Sequence, residues 1–278
     1  MSMMKDLNAA NEVLLEFQRL IEEKTCNPWE GNLRTGVDLG TANIVLAVVD
    51  SLNRPVAGAS YPSTVVKDGI VVDYLGAIRV VKQLKAELEA RLGTVLTHAA
   101  AAIPPGVNPG SVRAIGNVVE GSDFVLTGIV DEPTAAADVL GIDSGAVVDV
   151  GGGTTGISII EQGKVIFSDD EPTGGTHMTL VISGAFGLEI AEAERMKKDG
   201  AKESEVFAAV RPVVEKMAAI VKGYISNRSV EAVYVVGGAC SFRQFEDVFE
   251  NYLGIPVAKP AAPLLVTPLG IALNCKFD

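Results

Sequence analysis

The chain has 278 residues, 48% of them hydrophobic, and a mean hydropathy of +0.30, enough for one large domain or two modest lobes with cores of their own. Aromatic residues make up only 5% while Ala, Val and Gly abound, which favours α/β layers in close helix–sheet contact over an aromatic-rich β sandwich. A net charge of −12 and a pI of about 4.7, with Arg195, Lys197 and Lys198 as the one short basic cluster, argue against nucleic acid and anionic membranes as partners.

Cys26, Cys240 and Cys275 lie far apart with no CxxC, and His98 and His177 have no metal-ligand spacing, so reduced thiols in a cytoplasmic protein are expected. The N-terminal stretch lacks a basic region followed by an apolar core, which predicts no secretory signal. No apolar run approaches the ~20 residues that cross a bilayer.

Residues 5–24 place Leu7, Ala10, Leu14, Phe17 and Ile21 at alternating spacings of three and four, an amphipathic helix. "TCNPWEGN" then breaks it. Two expectations stay open. The helix packs on its own domain, or it detaches to dock on a partner or to pair with its copy through heptad-like spacing. "RTGVDLGTANIVLAVVDSLNRPVAGAS" predicts three strands with short turns, and residues 73–92 a helix. A strand at "THAAAAI" precedes a helix near Pro109, capped by Asn108. "DFVLTGIV" is a strand and "DEPTAAADVLG" a short helix ending at Gly141. Strands follow at 146–150, 155–161 and 164–168, then helices over most of 175–226, a strand at "AVYVV", a helix over 242–252 and a last helix in "TPLGIALNC".

"VDLGTANIVLAVVDSLNRPVAGA" and "VDVGGGTTGISIIEQGKVIFSDD" share Asp-x-Gly, a strand, a polar turn and another strand, with Asp38 and Asp149 111 residues apart. This predicts a duplication, with one acidic, glycine-rich hairpin per lobe. Glycine at such a turn lets backbone N–H groups approach phosphate oxygens, threonine hydroxyls add donors, and an acid at the strand end suits Mg²⁺ held through water. Gly151, Gly152 and Gly153 alone would mark only a tight turn; the pairing of two acidic hairpins points to a polyphosphate. Gly237 and Gly238 end an apolar strand where a base or ribose could rest. Glu132, between a strand and a helix, either orients a water or complements the helix dipole.

In their order these motifs resemble the superfamily of actin, sugar kinases and DnaK-type chaperone ATPases, over about residues 34–275. "VDLGTANIVLAVVD" resembles its first phosphate motif, "IVDEPTAAADVLG" the first connecting motif, "VVDVGGGTTGISII" the second phosphate motif, "VYVVGGACSF" the adenosine motif and "LVTPLGIAL" the second connecting helix. "KDGIVVDYLGAI", "PTGGTHMTL" and "PVVEKMAAIV" further resemble the EutJ family of ethanolamine-utilisation proteins.

The resemblance implies an α/β, two-lobed actin-like ATPase of duplicated ribonuclease-H-like lobes. An N-terminal helix and linker would occupy 1–32, the first lobe 33–142 and the second 143–265, with 266–278 packing back on the first. It implies ATP or ADP with Mg²⁺ as cofactors. Asp38, Glu132 and Asp149 would be catalytic, Asp38 and Asp149 near the metal through water. Gly40, Thr41 and Asn43 would face the phosphates, opposed by Gly151, Gly152, Gly153 and Thr154, with Gly174 and Gly175 near the cleft. Glu194 and Lys197 would contact adenosine, and Gly237, Gly238 and Ala239 line base and ribose. His177 would lie by the cleft, as a capping or packing group or as a water-orienting one.

Two departures stand out. Residues 60–67 and 197–211 leave no room for the outer subdomains of relatives, and the catalytic lysine carried in the first has no counterpart. The cleft is therefore expected to be shallow, and the DnaK peptide-clamp mechanism does not apply. The implied function is a nucleotide-dependent chaperone or assembly factor for ethanolamine-utilisation microcompartment enzymes, with slow Mg²⁺-dependent hydrolysis. Alternatives are a scaffold with a residual nucleotide site, or a small-molecule kinase, which the missing insertions disfavour. A homodimer and microcompartment association are further expectations.

Overall fold

The structure is a computed structural model that describes residues 6–67 and 70–277. Helix α1 (Asn8–Glu22) leads into three antiparallel strands, β1 (Arg34–Leu39), β2 (Asn43–Val49) and β3 (Pro55–Pro62). A small hairpin, β4 (Val66–Lys67) and β5 (Ile70–Val71), precedes α2 (Tyr74–Leu92), β6 (His98–Ile103), α3 (Pro109–Gly121), β7 (Val125–Asp131) and α4 (Glu132–Leu140). The second half has β8 (Gly145–Val150), β9 (Thr155–Glu161), β10 (Lys164–Glu171), α5 (Gly175–Phe186), α6 (Ile190–Lys198) and α7 (Glu203–Ile225). It closes with β11 (Val233–Val236), α8 (Phe245–Leu253), β12 (Val257–Ala258) and α9 (Val266–Leu273).

Local chemistry sets several boundaries. The carboxylate of Asp73 accepts from the Gly76 N–H at the start of α2, and Asn108 accepts from Gly110 and Ser111 at the start of α3, with Pro109 in its first turn. Asp131 accepts from the Thr134 N–H and so opens α4. Gly93 and Gly141 end α2 and α4 in the left-handed conformation. Two elements differ from expectation. β10 runs on to Glu171, held against β9 as far as the Glu171–Thr155 pair. α8 starts at Phe245, because residues 241–244 form a turn ahead of it.

The two five-stranded sheets have the orders β3-β2-β1-β6-β7 and β10-β9-β8-β11-β12. In each, the first three strands in sequence are antiparallel and the last two join in parallel, so the orders and directions correspond one to one. The correspondence extends to the residue. Asp38 pairs with Val45 one step before the terminal pair Leu39–Ile44, and Asp149 pairs with Gly156 one step before Val150–Thr155. Residues 40–43 and 151–154 close the two hairpins.

The regions of reduced insertion hold little. Between β3 and α2 stands only the β4–β5 hairpin, and between α6 and α7 a 3₁₀ turn over Gly200–Lys202. No helix among the described residues is long and apolar enough to cross a membrane.

One apolar cluster lies under α2 and α3, another under α5, α7 and α8. A third joins residues of both sheets, Val45 and Ala47 of β2 with Tyr234 and Val236 of β11, to α4, α9 and α1. Leu14, Phe17 and Leu20 of α1 are 0% exposed, which settles the open question about this helix: its stripe is core, so neither partner docking nor heptad pairing through that stripe is available to it. Nor is "TCNPWEGN" a free linker. Asn27 donates from its backbone N–H to the Val56 carbonyl at 2.9 Å and from its side chain to Glu16 at 2.8 Å. Ser51 donates to the Glu30 carbonyl at 2.6 Å.

Phe17 packs where only glycine fits beneath it, since a Cβ on Gly58 would stand 2.5 Å from its ring. Phe17→Ala is therefore expected to destabilise the whole protein by about 3–4 kcal/mol, read as a lower urea midpoint at unchanged slope. An unaltered midpoint would mean that α1 is dispensable to the core.

Candidate functional site

A cavity of about 660 Å³ lies between the two sheets, walled by both hairpins. Asp38 reaches it from the end of β1, Asp149 from the end of β8 and Glu132 from the first residue of α4. Gly40, Thr41 and Asn43 line it on one side and Gly151, Gly152, Gly153 and Thr154 on the other. The loops nearly meet, for a Cβ on Gly152 would stand 3.4 Å from that of Ala42 and 3.5 Å from that of Thr41. Gly175, Glu194, Lys197, Gly237, Gly238 and Ala239 complete the predicted set on the wall.

Gly174 stands apart, because it does not line the cavity. It lies buried behind the glycine loop, where a Cβ would meet the Gly153 carbonyl carbon at 2.7 Å and the carbonyl oxygens of Gly151 and Gly152 at 2.8 Å. That close approach lets the first turn of α5 grip the loop. The Gly175 N–H donates to the Gly151 carbonyl at 2.9 Å, and Thr176 donates to the Gly152 carbonyl from both its N–H and its hydroxyl at 2.8 Å. With these carbonyls drawn backwards, the loop keeps one orientation. His177 also does not line the cavity. Its exposed ring accepts at Nδ1 from the Gly174 N–H at 3.4 Å, the capping role.

The Glu194–Lys197 pair is joined at 2.7 Å, and Thr179 ties it to α5 by donating to Glu194 at 2.5 Å and accepting from Lys197 at 2.7 Å. Lys197 also donates to the Gly175 carbonyl at 2.9 Å. Burial pushes the Lys197 ammonium below its ordinary range, against the pull of Glu194. Burial works to raise Glu194, but the bonds from Lys197 and Thr179 outweigh it and leave the carboxyl low.

The three acids behave otherwise. Burial, then the charge of Asp149, pushes Asp38 up to about 7. Burial raises Asp149 to about 6, opposed by a hydrogen bond from Thr267 and helped by Asp170. Glu132 is raised most clearly, by burial first and then by Asp149, Asp38, Asp170 and Asp131. Low dielectric and like charge together hold protons in the cleft.

Several participants carry no signal in the linear chain. Thr179 looks like an ordinary helix residue until α6 folds against α5. Asp170 lies on the edge strand β10 yet acts on both Glu132 and Asp149. Thr267 sits inside a quoted motif, and only the fold brings it to Asp149.

Residues 63–195 match the family described as MreB/Mbl protein, and residues 146–270 that described as Cell division protein FtsA. Ethanolamine utilization protein EutJ of Salmonella typhimurium is 42% identical over 238 residues, 85% of this chain and 84% of that protein. The crystal structure of EutJ from Carboxydothermus hydrogenoformans superposes with a TM-score of 0.92 at 50% identity, covering 96% of this chain and 99% of that one. MreB5 of Spiroplasma citri bound to ADP superposes with a TM-score of 0.70 at 19% identity, covering 86% and 94%, a likeness of fold alone. The fold is that of the actin-like ATPases.

The raised acids carry a pH signature. An acid whose folded value lies above its ordinary one, near 3.8 for Asp38, favours the neutral form in the fold. Its contribution to stability is then lost as pH rises, here from about 4 to about 7. Without Mg²⁺ or nucleotide, this term should lower the melting temperature of the wild type between about pH 4 and 7, and Asp38→Asn should flatten that decline. At the upper end, Asp38→Asn should be more stable by about 1–2 kcal/mol, roughly 2–6 °C, the opening of the cleft to water keeping the gain small. Parallel profiles for the two proteins in differential scanning fluorimetry would refute the electrostatic account.

Proposed function

We propose that this chain, which belongs to the EutJ family of ethanolamine utilization proteins, is a Mg²⁺-dependent ATP/ADP-binding switch acting as a chaperone or assembly factor for microcompartment enzymes of ethanolamine utilisation. The observation that carries the nucleotide reading is the pair of acidic glycine hairpins, equivalent in register and opposed across one cavity. The client rests on the family alone.

The residues present fit the group. A Cβ on Gly152 would fill the gap between the loops, so bare backbone amides can come close to phosphate oxygens. Thr41 and Thr154 add hydroxyl donors beside them. Asp38 and Asp149 are the residues that would hold Mg²⁺. Among the described residues no three acids, histidines or cysteines converge to bind a metal by themselves, which suits a cation shared with phosphate and water. Bound Mg²⁺ supplies the positive charge that lets these carboxylates ionise together. Glu132, at the cleft end of α4, would hold a water and accept its proton once ionised, the basis for slow hydrolysis. Glu194 and Lys197 are the residues for the adenosine end.

A second reading has one observation behind it. The lysines lining the cavity, Lys197 and Lys198, are both engaged by Glu194, at 2.7 and 3.1 Å. Among the described lining residues no other lysine or arginine stands by the hairpins, which favours a nucleotide-binding scaffold without turnover.

Calorimetry should show ADP and ATP binding at about tens of micromolar with Mg²⁺, roughly 6–7 kcal/mol. Asp149→Ala should abolish the Mg²⁺-dependent part. Wild-type behaviour of Asp149→Ala would remove the site assignment, and nucleotide binding without any phosphate release, with or without ethanolamine-utilisation enzymes, would select the scaffold.

A further inference from the structure

Thr267 lies in the first turn of α9, is 6% exposed and lines the cavity. Its hydroxyl donates to Oδ2 of Asp149 at 3.1 Å. The other carboxylate oxygen is confined as well, since a Cβ on Gly237 would stand 2.3 Å from Oδ1. One oxygen of Asp149 is therefore fixed by a bond and the other by packing, so the carboxylate has a defined orientation at the mouth of the second hairpin.

The helix that supplies this bond is seated elsewhere. A Cβ on Gly36 of β1 would stand 2.4 Å from the Ala272 nitrogen and 2.7 Å from the Pro268 carbonyl oxygen, so α9 lies directly on the first sheet. A Cβ on Gly270 would stand 1.9 Å from the Ala135 carbonyl oxygen, so α9 also lies backbone to backbone on α4. Glu132 is the first residue of α4. Thr267 thus joins the acid of the second sheet to a helix pair that is locked to the first sheet and carries the third acid of the cleft. Valine has the same shape and would pack as well, so the hydroxyl itself is the informative feature. Once buried, it needs a partner, and Asp149 is that partner.

Resting on the nucleotide reading, we propose that Thr267 is a positioning residue: it orients Asp149 for the Mg²⁺–nucleotide group and ties occupancy of the cleft to the α4–α9 pair. The carboxylate of Asp149 faces the group, and Thr267 acts through it.

Two measurements test this. In calorimetry with ADP, Thr267→Val should weaken Mg²⁺-dependent binding by about fivefold or more while leaving binding in EDTA unchanged, and Thr267→Ser should stay within about twofold of wild type. In ligand-free protein, a double-mutant cycle of Thr267→Val and Asp149→Asn by urea unfolding should show the two sites to be coupled. Wild-type ADP affinity in Thr267→Val, or additive effects in the cycle, would overturn the assignment, and a loss of stability alone with normal affinity would mark Thr267 as structural. A coupled pair in a wild-type protein that takes up no nucleotide would instead overturn the nucleotide reading, and the positioning role with it.

Discussion

Three carboxylates gathered in one cleft are the constraint around which this molecule is arranged. Asp38, Glu132 and Asp149 arrive from different elements, and each raises or is raised by another. No side chain of opposite charge is brought among them by the described lining residues, because both lysines are taken by Glu194. The cleft is electrostatically unfinished at neutral pH. Such a site favours whatever arrives with positive charge.

Close backbone approach does the complementary work. Gly174 lets α5 hold the glycine loop 151–154 by its carbonyls, and Gly36 and Gly270 let α9 lie on β1 and α4 without side chains between. In each place a methyl group would collide with backbone, which cannot swing aside as a side chain can. The duplicated hairpins agree in register to the residue, yet their acids differ in surroundings. Asp149 receives a hydroxyl bond from Thr267 and lies at about 6, whereas Asp38 lies at about 7. The two halves of the repeat have come to hold their acids differently.

Much of this was legible in the chain itself. The three-and-four spacing of Leu7, Ala10, Leu14, Phe17 and Ile21 located α1, Asn108 with Pro109 located the start of α3, and the 111-residue repeat located both hairpins. The cavity then gathered nearly every residue named from the motifs. What escaped depended on contacts between distant segments. Gly174 looked like part of the ligand wall because its neighbour is one, and only the three-dimensional course of the loop puts it behind. An amphipathic stripe reports that a helix has an apolar face but not what covers it, so α1 could be read as a docking arm. Its cover comes from β2, β3 and α9, tens to hundreds of residues away. Thr179, Asp170 and Thr267 carry no local signature, because their roles lie in partners that the linear order does not reveal.

The burial of α1 bears on how the chain reaches this state. Asn11 accepts a hydrogen bond from the Ala261 N–H across 250 residues of sequence, and Leu14 and Phe17 share a cluster with Leu265, Leu269 and Ala272. The central core joins segments that lie far apart in the chain. During synthesis, β2 and β3 follow α1 closely and can cover part of its apolar face, but the side that meets α9 waits for a segment some 250 residues further on. Closure over so long a loop is slow and entropically late. A helix face left half-covered in the meantime is also a natural point of attachment for folding helpers. The core between the two sheets is thus complete only once α9 has docked.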